Sequence, residues 1–255
     1  MGQLAGKVAL VVGASTQGGI GQATAQQFAR EGAYVLTSAR RLPEAKAIAT
    51  EVGGDAIACD ITDESQVEGL MREAKAKRDR LDTVVIVAGA HASQLVDQLT
   101  RETLLRTFEL NVVGPAFVIK HAARVMGPGG SIIYVSSATA EMNTFGVAAY
   151  GCTKAAGERF VEVAALENAA RGIRINSLQP GMVETGMSSG ALGRPGFRRA
   201  FERETPLGRI ANVSDIAATA VWLASDGCFT TGDCLRVAGG VHLRRHPMPE
   251  EFRPD

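Results

Sequence analysis

The sequence has no excess of either charge: 27 basic and 27 acidic side chains leave a formal net charge of zero over 255 residues. That excludes the basic stripe of a nucleic-acid binder and the acidic tail of a solvating segment. Cysteines are few, and Cys59, Cys152, Cys228 and Cys234 form no C-x-x-C pair. A Cys228–Cys234 bridge is conceivable, but free thiols suit the strand and helix pattern around them better, and with it a reducing, cytoplasmic compartment. No apolar run approaches the roughly 20 residues that span a bilayer. The opening "MGQLAGKVALVVGAS" has one lysine and a short apolar run leading straight into glycines, which reads as a first strand and not as a signal peptide. Position 6 is glycine, not Ser or Thr, so Met1-Gly2 does not start a myristoylation signal. Repeats, low-complexity tracts and breaks in composition are also missing, so one domain over 1–255 is expected.

What the chain does have is alternation. Short apolar runs, each suited to a strand buried on both faces, fall at 7–12, 33–38, 55–60, 82–89, 131–136, 172–178 and 233–239. Helical patterns fall between them, at 20–31, 43–52, 63–80, 101–126, 149–170 and 214–225, with Asp63 and Ser214 offered as N-caps. The fold predicted is α/β, a doubly wound (Rossmann) arrangement of about seven parallel strands with helices on both faces. One connection is unusually long: 186–209 holds five glycines and two prolines and is expected to be a substrate-binding lid, with 244–255 as a C-terminal tail.

The 29 glycines cluster in short loops. One cluster, "VVGASTQGGIGQATA", follows the first strand and opens the first helix. Glycines there let backbone N–H groups approach a pyrophosphate, whose charge the helix N-terminus favours. The G-x-G-x-x-G pattern is not met, since its third slot is Thr24. Gly13, Ser15, Gly19, Ile20 and Gly21 are the candidate phosphate-binding residues. The second strand ends in Ser38-Ala39-Arg40-Arg41, with no carboxylate for a ribose 2′-hydroxyl. A guanidinium suits a 2′-phosphate, so Arg40 favours NADP over NAD; the other reading makes Arg40 and Arg41 solvated charges with Glu44 as partner. Asp60, with Ile61 beside it, is placed either to meet the adenine ring or to precede a helix cap.

Tyr150 and Lys154 stand four apart in "AYGCTKAAG", and residues so spaced share a helix face. Free tyrosine, with a pKa of roughly 10, is a poor base near neutrality, and a nearby ammonium stabilises phenolate. Lys154 is therefore expected to make Tyr150 more acidic. With the glycine loop and Y-x-x-x-K both present, the chain from about residue 4 to residue 243 resembles the short-chain dehydrogenase/reductase family. The resemblance rests on Asn111 in "ELNVVGPAF", on Ser137, thirteen positions before Tyr150 in "IIYVSSATA", on "PGMVET" at 180–185 and on "LRVAGG" at 235–240. It implies a catalytic set of Asn111, Ser137, Tyr150 and Lys154, with Asn111 holding a water that links Lys154 to solvent. It also implies that Ala88, Gly89, Pro180, Gly181, Val183 and Thr185 line the nicotinamide half of the site, with Tyr150 and Lys154 touching the cofactor as well. Two departures stand out: five residues separate Gly13 from Gly19, and the family's N-N-A-G is here Ile86-Val87-Ala88-Gly89. The second reads as a change in stability more than in catalysis.

The expectation is a reversible NADPH-dependent reductase of a small carbonyl compound, one version being a 3-oxoacyl-thioester reductase. Arg124, Arg171, Arg198 and Arg199 are candidate contacts for an acidic carrier or phosphopantetheine. The alternatives are an NAD-dependent dehydrogenase of a bulky alicyclic or steroid alcohol, suggested by Met187, Leu192, Phe197 and Phe201 in the lid, and a dinucleotide sensor without turnover. His242 and His246 lie four apart, but no carboxylate stands at a ligand spacing, so no metal is expected. His91 reads as exposed or as bordering the pocket. Val113, Phe117, Phe160 and Val163 give the long helices apolar residues on more than one face, which suits a homotetramer or homodimer, as the resemblance also implies.

Overall fold

The computed structural model describes residues 2–186 and 188–252. Met187 and the last three residues of the tail lie outside them. Strands β1 (Val8–Val12), β2 (Tyr34–Ala39), β3 (Asp55–Ala58), β4 (Thr83–Ile86), β5 (Ser131–Val135), β6 (Arg174–Pro180) and β9 (Cys234–Val237) form one parallel sheet in the order β3-β2-β1-β4-β5-β6-β9. Its helices are α1 (Ile20–Arg30), α2 (Leu42–Glu51), α3 (Glu64–Ala76), α4 (Arg101–Phe108), α5 (Gly114–Val125), α6 (Ala148–Asn168) and α9 (Val213–Ala224). The seven predicted strands are all present, and the sheet is the doubly wound arrangement expected.

The unbroken apolar strands have their reason in the two cores. Leu10, Ile86, Ile132 and Ile175 pack with α3, α5 and α6 on one face. Val11, Val85, Ile133 and Leu178 pack with α1 and α9 on the other. Each such side chain, buried completely, stabilises the fold by about 1.5–3 kcal/mol. Ile86, in the altered N-N-A-G, is one of these wholly buried residues, and Val87 packs against the second core. The apolar substitution thus adds packing where the family pattern has amides.

Three sequence expectations change in detail. Helix 101–126 is not continuous: residues 109–113 widen into a π-turn between α4 and α5. Pro115 is the reason, because an α-helical bond to the Asn111 carbonyl would need the N–H that Pro115 lacks. Asp63 does cap α3, accepting from Ser65 N and Gln66 N, whereas α9 is capped by Asn212 in a reciprocal box with Asp215, and Ser214 only donates to the Asn212 side chain. The stretch 186–209 contains helices α7 (Ser189–Leu192) and α8 (Pro195–Glu204), and a two-stranded pair of β7 (Val183–Glu184) with β8 (Ala211–Asn212) ties its ends together. The four cysteines are free thiols. Among the described residues, no helix is long and apolar enough to cross a membrane.

Candidate active site

Strands β1 and β4 lie side by side, and the chain leaves them toward opposite edges of the sheet. That reversal opens a crevice beyond the carboxyl ends of the strands, where open parallel sheets bind ligands. The glycine loop borders it. Gly13 has φ +98°, and a Cβ there would lie 2.4 Å from Ala88 N; one on Gly21 would lie 2.8 Å from Gly13 O. Both positions need glycine for α1 to start so close to β1 and β4. Gly19 is the N-cap of α1 and no side chain closes the first turn, so the leading N–H groups of α1 have no side-chain acceptor and favour an anion. Ser15 lies half-buried ahead of them, and Ile20 opens the helix with its side chain against the second core. The amides of Gly13 and Ala14 are already used, both donating to Ser38 O.

The long loop is tethered from an unexpected side. Gln17, Gln22 and Gln26 all donate to the Glu51 carboxylate at the end of α2, and Gly18 N donates to Gln22 Oε1 at 2.7 Å. These amide donors hold the Glu51 carboxyl below its usual pKa. Arg40 follows β2 with its side chain 67% exposed and its guanidinium 3.9 Å from Asp60 Oδ2; Arg41 turns to Glu44 at 3.3 Å. Asp60 also accepts from Thr62 N and Thr62 Oγ1. Ile61 is buried in the core, so any part it takes in binding belongs to its backbone. A glycine cradle, an uncapped helix start and a cation at the end of β2 together fit a phosphorylated dinucleotide.

The catalytic candidates converge at the same edge. Ser137 follows β5 in an extended conformation, and its Oγ accepts from Thr139 N at 3.3 Å and from Thr139 Oγ1 at 2.9 Å. With its lone pairs engaged, Ser137 keeps its own proton for donation. Tyr150 stands near the start of α6, with the His91 ring centroid 5.0 Å from its own. Burial pushes the Tyr150 phenol above its usual pKa, and the Ser137 hydroxyl pulls the other way. The acidifying effect expected of Lys154 is not what dominates. The Lys154 Nζ lies 5.7 Å from the Tyr150 ring centroid and donates to Val135 O at 2.8 Å. Lys154 is itself buried, and the loss of water brings its ammonium down to about 8, against the influence of Glu158.

Asn111 is completely buried in the π-turn. Its Oδ1 accepts from Ala90 N at 2.9 Å, and its Nδ2 donates to Ala90 O at 2.9 Å and to Thr153 Oγ1 at 3.1 Å. Both hydrogens of the side-chain amide are thus spent on protein partners, so Asn111 could hold a water only as an acceptor. Gly89 allows this packing: a Cβ there would come 3.0 Å from Asn111 Oδ1 and 3.6 Å from Lys154 Nζ. Ala88 packs against the first core. Pro180 ends β6 and Gly181 touches Ala238, where a Cβ would lie 3.1 Å from the alanine methyl. Val183 is buried in β7, and the hydroxyls of Thr185 and Ser188 meet at 3.3 Å where the long connection begins.

Sequence reasoning missed Thr139, Tyr134 and the glutamine tether. A phenol inside the buried run "SIIYVS" was the one available signal. Two other expectations lose their footing. Leu192 and Phe201 are buried in a local core with Ile210, where Phe197 and the tail residue Phe252 pack against them, so these side chains are not free to line a pocket for a bulky alcohol. Arg124 ends α5 and Arg171 follows α6, just before strands β5 and β6 begin, at the edge of the sheet opposite Tyr150 in this chain. Arg198 pairs with Glu184 and Glu202.

A sheet reversing at a glycine cradle, with serine, tyrosine and lysine beside it, defines a dinucleotide-dependent oxidoreductase. The family model described as Enoyl-(Acyl carrier protein) reductase matches residues 13–242. An uncharacterized oxidoreductase of Methylorubrum extorquens is 36% identical over 249 residues, covering 94% of this chain and all of its own. A short-chain type dehydrogenase/reductase from Mycobacterium ulcerans superposes with a TM-score of 0.92 at 32% identity, over 96% of this chain and 92% of that one. A gluconate 5-dehydrogenase from Burkholderia cenocepacia, solved with NADP and tartrate, superposes with a TM-score of 0.89 at 27% identity, over 94% and 97%. The chain belongs to the short-chain dehydrogenase/reductase family and is an oxidoreductase.

Proposed function

We propose that the protein is an NADPH-dependent reductase that converts a ketone to a secondary alcohol by Tyr150 acid catalysis, reversibly. The observation that carries this reading is the convergence of Ser137, Tyr150 and Lys154 beside the glycine cradle, with Arg40 at the end of β2. Gly13, Ser15, Gly19, Ile20 and Gly21 would hold the pyrophosphate and Arg40 the 2′-phosphate. Asp60 and the Ile61 backbone would meet the adenine, and Ala88, Gly89, Pro180, Gly181, Val183 and Thr185 would line the nicotinamide. When bound, the reduced dinucleotide supplies the hydride.

The remaining chemistry belongs to the side chains. Ser137, its oxygen occupied by Thr139, donates its proton toward the substrate carbonyl oxygen and fixes it. Tyr150, held in its protonated form at neutral pH by burial, passes its phenolic proton to the alkoxide as it develops. Lys154, an ammonium below about pH 8, stabilises the phenolate left behind. Asn111 carries no proton in this scheme; it fixes the Ala90 backbone and Thr153 around the lysine.

The substrate class proposed is a small ketone, a 3-oxoacyl thioester included; the likeness to a human 3-oxoacyl-[acyl-carrier-protein] reductase, 32% identical over 241 residues, supports the thioester version. Helices α7 and α8 are proposed as the lid, and the exposed Phe160, Val163 and Leu166 of α6 as part of a homotetramer or homodimer contact, to be checked by light scattering. The test of function is NADPH oxidation against a panel of ketones and oxoacyl thioesters. Wild type should turn over at least one of them, and Tyr150→Phe should lose nearly all activity while still binding NADPH. Binding with no turnover in either form would make the protein a dinucleotide sensor.

A further inference from the structure

Tyr134 is a phenol in the middle of β5, 1% exposed, among aliphatic neighbours. Its hydroxyl has been given room: Gly157 of α6 faces it, and a Cβ there would lie 2.5 Å from the Tyr134 oxygen. That oxygen donates to the Asn111 carbonyl at 3.2 Å. This is the carbonyl whose α-helical donor is excluded by Pro115, and the phenol supplies it with a donor from outside the helix. The face of the same ring lies under Lys154, with Nζ 4.8 Å from the centroid, within the range of a cation–π attraction. One side chain therefore touches both the turn that carries Asn111 and the ammonium beside Tyr150.

We propose that Tyr134 is a positioning residue of the proton-transfer site, its hydroxyl pinning the Asn111 π-turn and its ring supporting the charged form of Lys154. The proposal rests on the reductase reading above and deepens it. Burial keeps the Tyr134 phenol far above the usual tyrosine range, so it acts as a donor at every working pH. The other titratable groups around Lys154 are Tyr150 and Glu158 on α6, with His91 beyond β4 against the Tyr150 ring.

Two substitutions separate the two contacts. Tyr134→Phe keeps the ring and removes the hydrogen bond. Tyr134→Leu removes both. The lysine is read directly, by NMR titration of ¹³C-lysine-labelled protein with Lys154→Met assigning the signal, and catalysis is read as the pH profile of ketone reduction. The lysine titration should fall by about one pH unit in Tyr134→Leu and by much less in Tyr134→Phe. The alkaline limb of kcat should shift in the same direction, and Tyr134→Phe should lower kcat several-fold with little change in KM. An unmoved lysine titration in a folded Tyr134→Leu protein overturns the proposal, as does an unmoved kcat in Tyr134→Phe when wild type is active. A shifted lysine in a protein that reduces no ketone supports the geometry and sinks the reductase reading instead.

Discussion

Thr139 donates its hydroxyl proton to Ser137 Oγ across 2.9 Å, and its backbone N–H reaches the same oxygen. The pair makes Ser137 a donor with one direction left to it. Thr139→Val keeps the shape and removes the hydroxyl. It should lower kcat about tenfold with KM little changed, part of the 10²–10³-fold that loss of a whole oxyanion donor costs. Thr139→Ser should restore most of the rate. Equal kcat values for Thr139→Val and wild type would mean that Ser137 is oriented by something else.

Lys154 is costly to the fold. Its ammonium, brought down to about 8 by burial, binds its proton less well in the folded chain than in the unfolded one. The penalty is full below about pH 8 and disappears as pH rises toward the unfolded value of roughly 10.4, because between those limits the unfolded state binds more protons. Lys154→Met should abolish reduction yet raise stability at pH 7 by about 1–3 kcal/mol, net of the lost bond to Val135 O. Thermal melts at pH 7 and pH 10 should show the advantage shrinking at the higher pH. A variant less stable than wild type at pH 7 would contradict this account.

Arg40 should discriminate between cofactors. A charge-assisted contact to a 2′-phosphate is worth about 1.5–3 kcal/mol, or roughly 10–100-fold in affinity. Titration of Arg40→Ala by fluorescence should show that loss for NADPH and less than a twofold change for NADH. Equal losses for both would return Arg40 to the status of a solvated charge paired with Asp60.

The glutamine tether should matter to binding more than to folding. Glu51→Ala frees Gln17, Gln22 and Gln26 and leaves the glycine loop to be ordered at the moment of binding. NADPH affinity should weaken about three- to tenfold, with a melting temperature close to wild type. An unchanged dissociation constant would make the tether a surface decoration.

Helices α7 and α8 should gain protection from hydrogen exchange when cofactor and substrate are both present. Phe252 packs tilted against Phe197 and parallel to Phe201, at centroid distances of 4.7 and 6.3 Å, and Arg203 pairs with Glu251. Any slowing should therefore extend into residues 244–252. No change in either segment would argue against a lid.

The sheet was readable in the sequence because its strands are buried on both faces and its turns are marked by glycine. The catalytic side chains were readable because their spacing is local: Tyr150 and Lys154 lie one helical turn apart. What stayed hidden depends on tertiary contact. Tyr134 meets the Asn111 carbonyl from 23 residues away, and Glu51 lies 29 residues from Gln22; Thr139 is only two residues from Ser137, but their contact is made by the turn after β5, which the residue types alone do not mark. The acidity of Tyr150 is hidden for a related reason, since proximity on a helix says nothing about burial, and burial raises the phenol here with only the Ser137 hydroxyl acting against it. The break in helix 101–126 was written at Pro115, but a glycine-proline pair inside a helical pattern does not say that the chain widens instead of stopping.

The widened turn at Glu109–Val113 amounts to one residue more than a regular helix would hold. Deleting a single residue between Leu110 and Val113 would let α4 and α5 join in even register, and every side chain before the deletion would swing by about 100° relative to those after it. Such a shortened protein could gain helix and lose its chemistry together. The surplus residue is thus a form of stored geometry: the backbone gives up regularity at one point so that a carbonyl can meet the Tyr134 hydroxyl while the amide beside it holds Ala90 and Thr153.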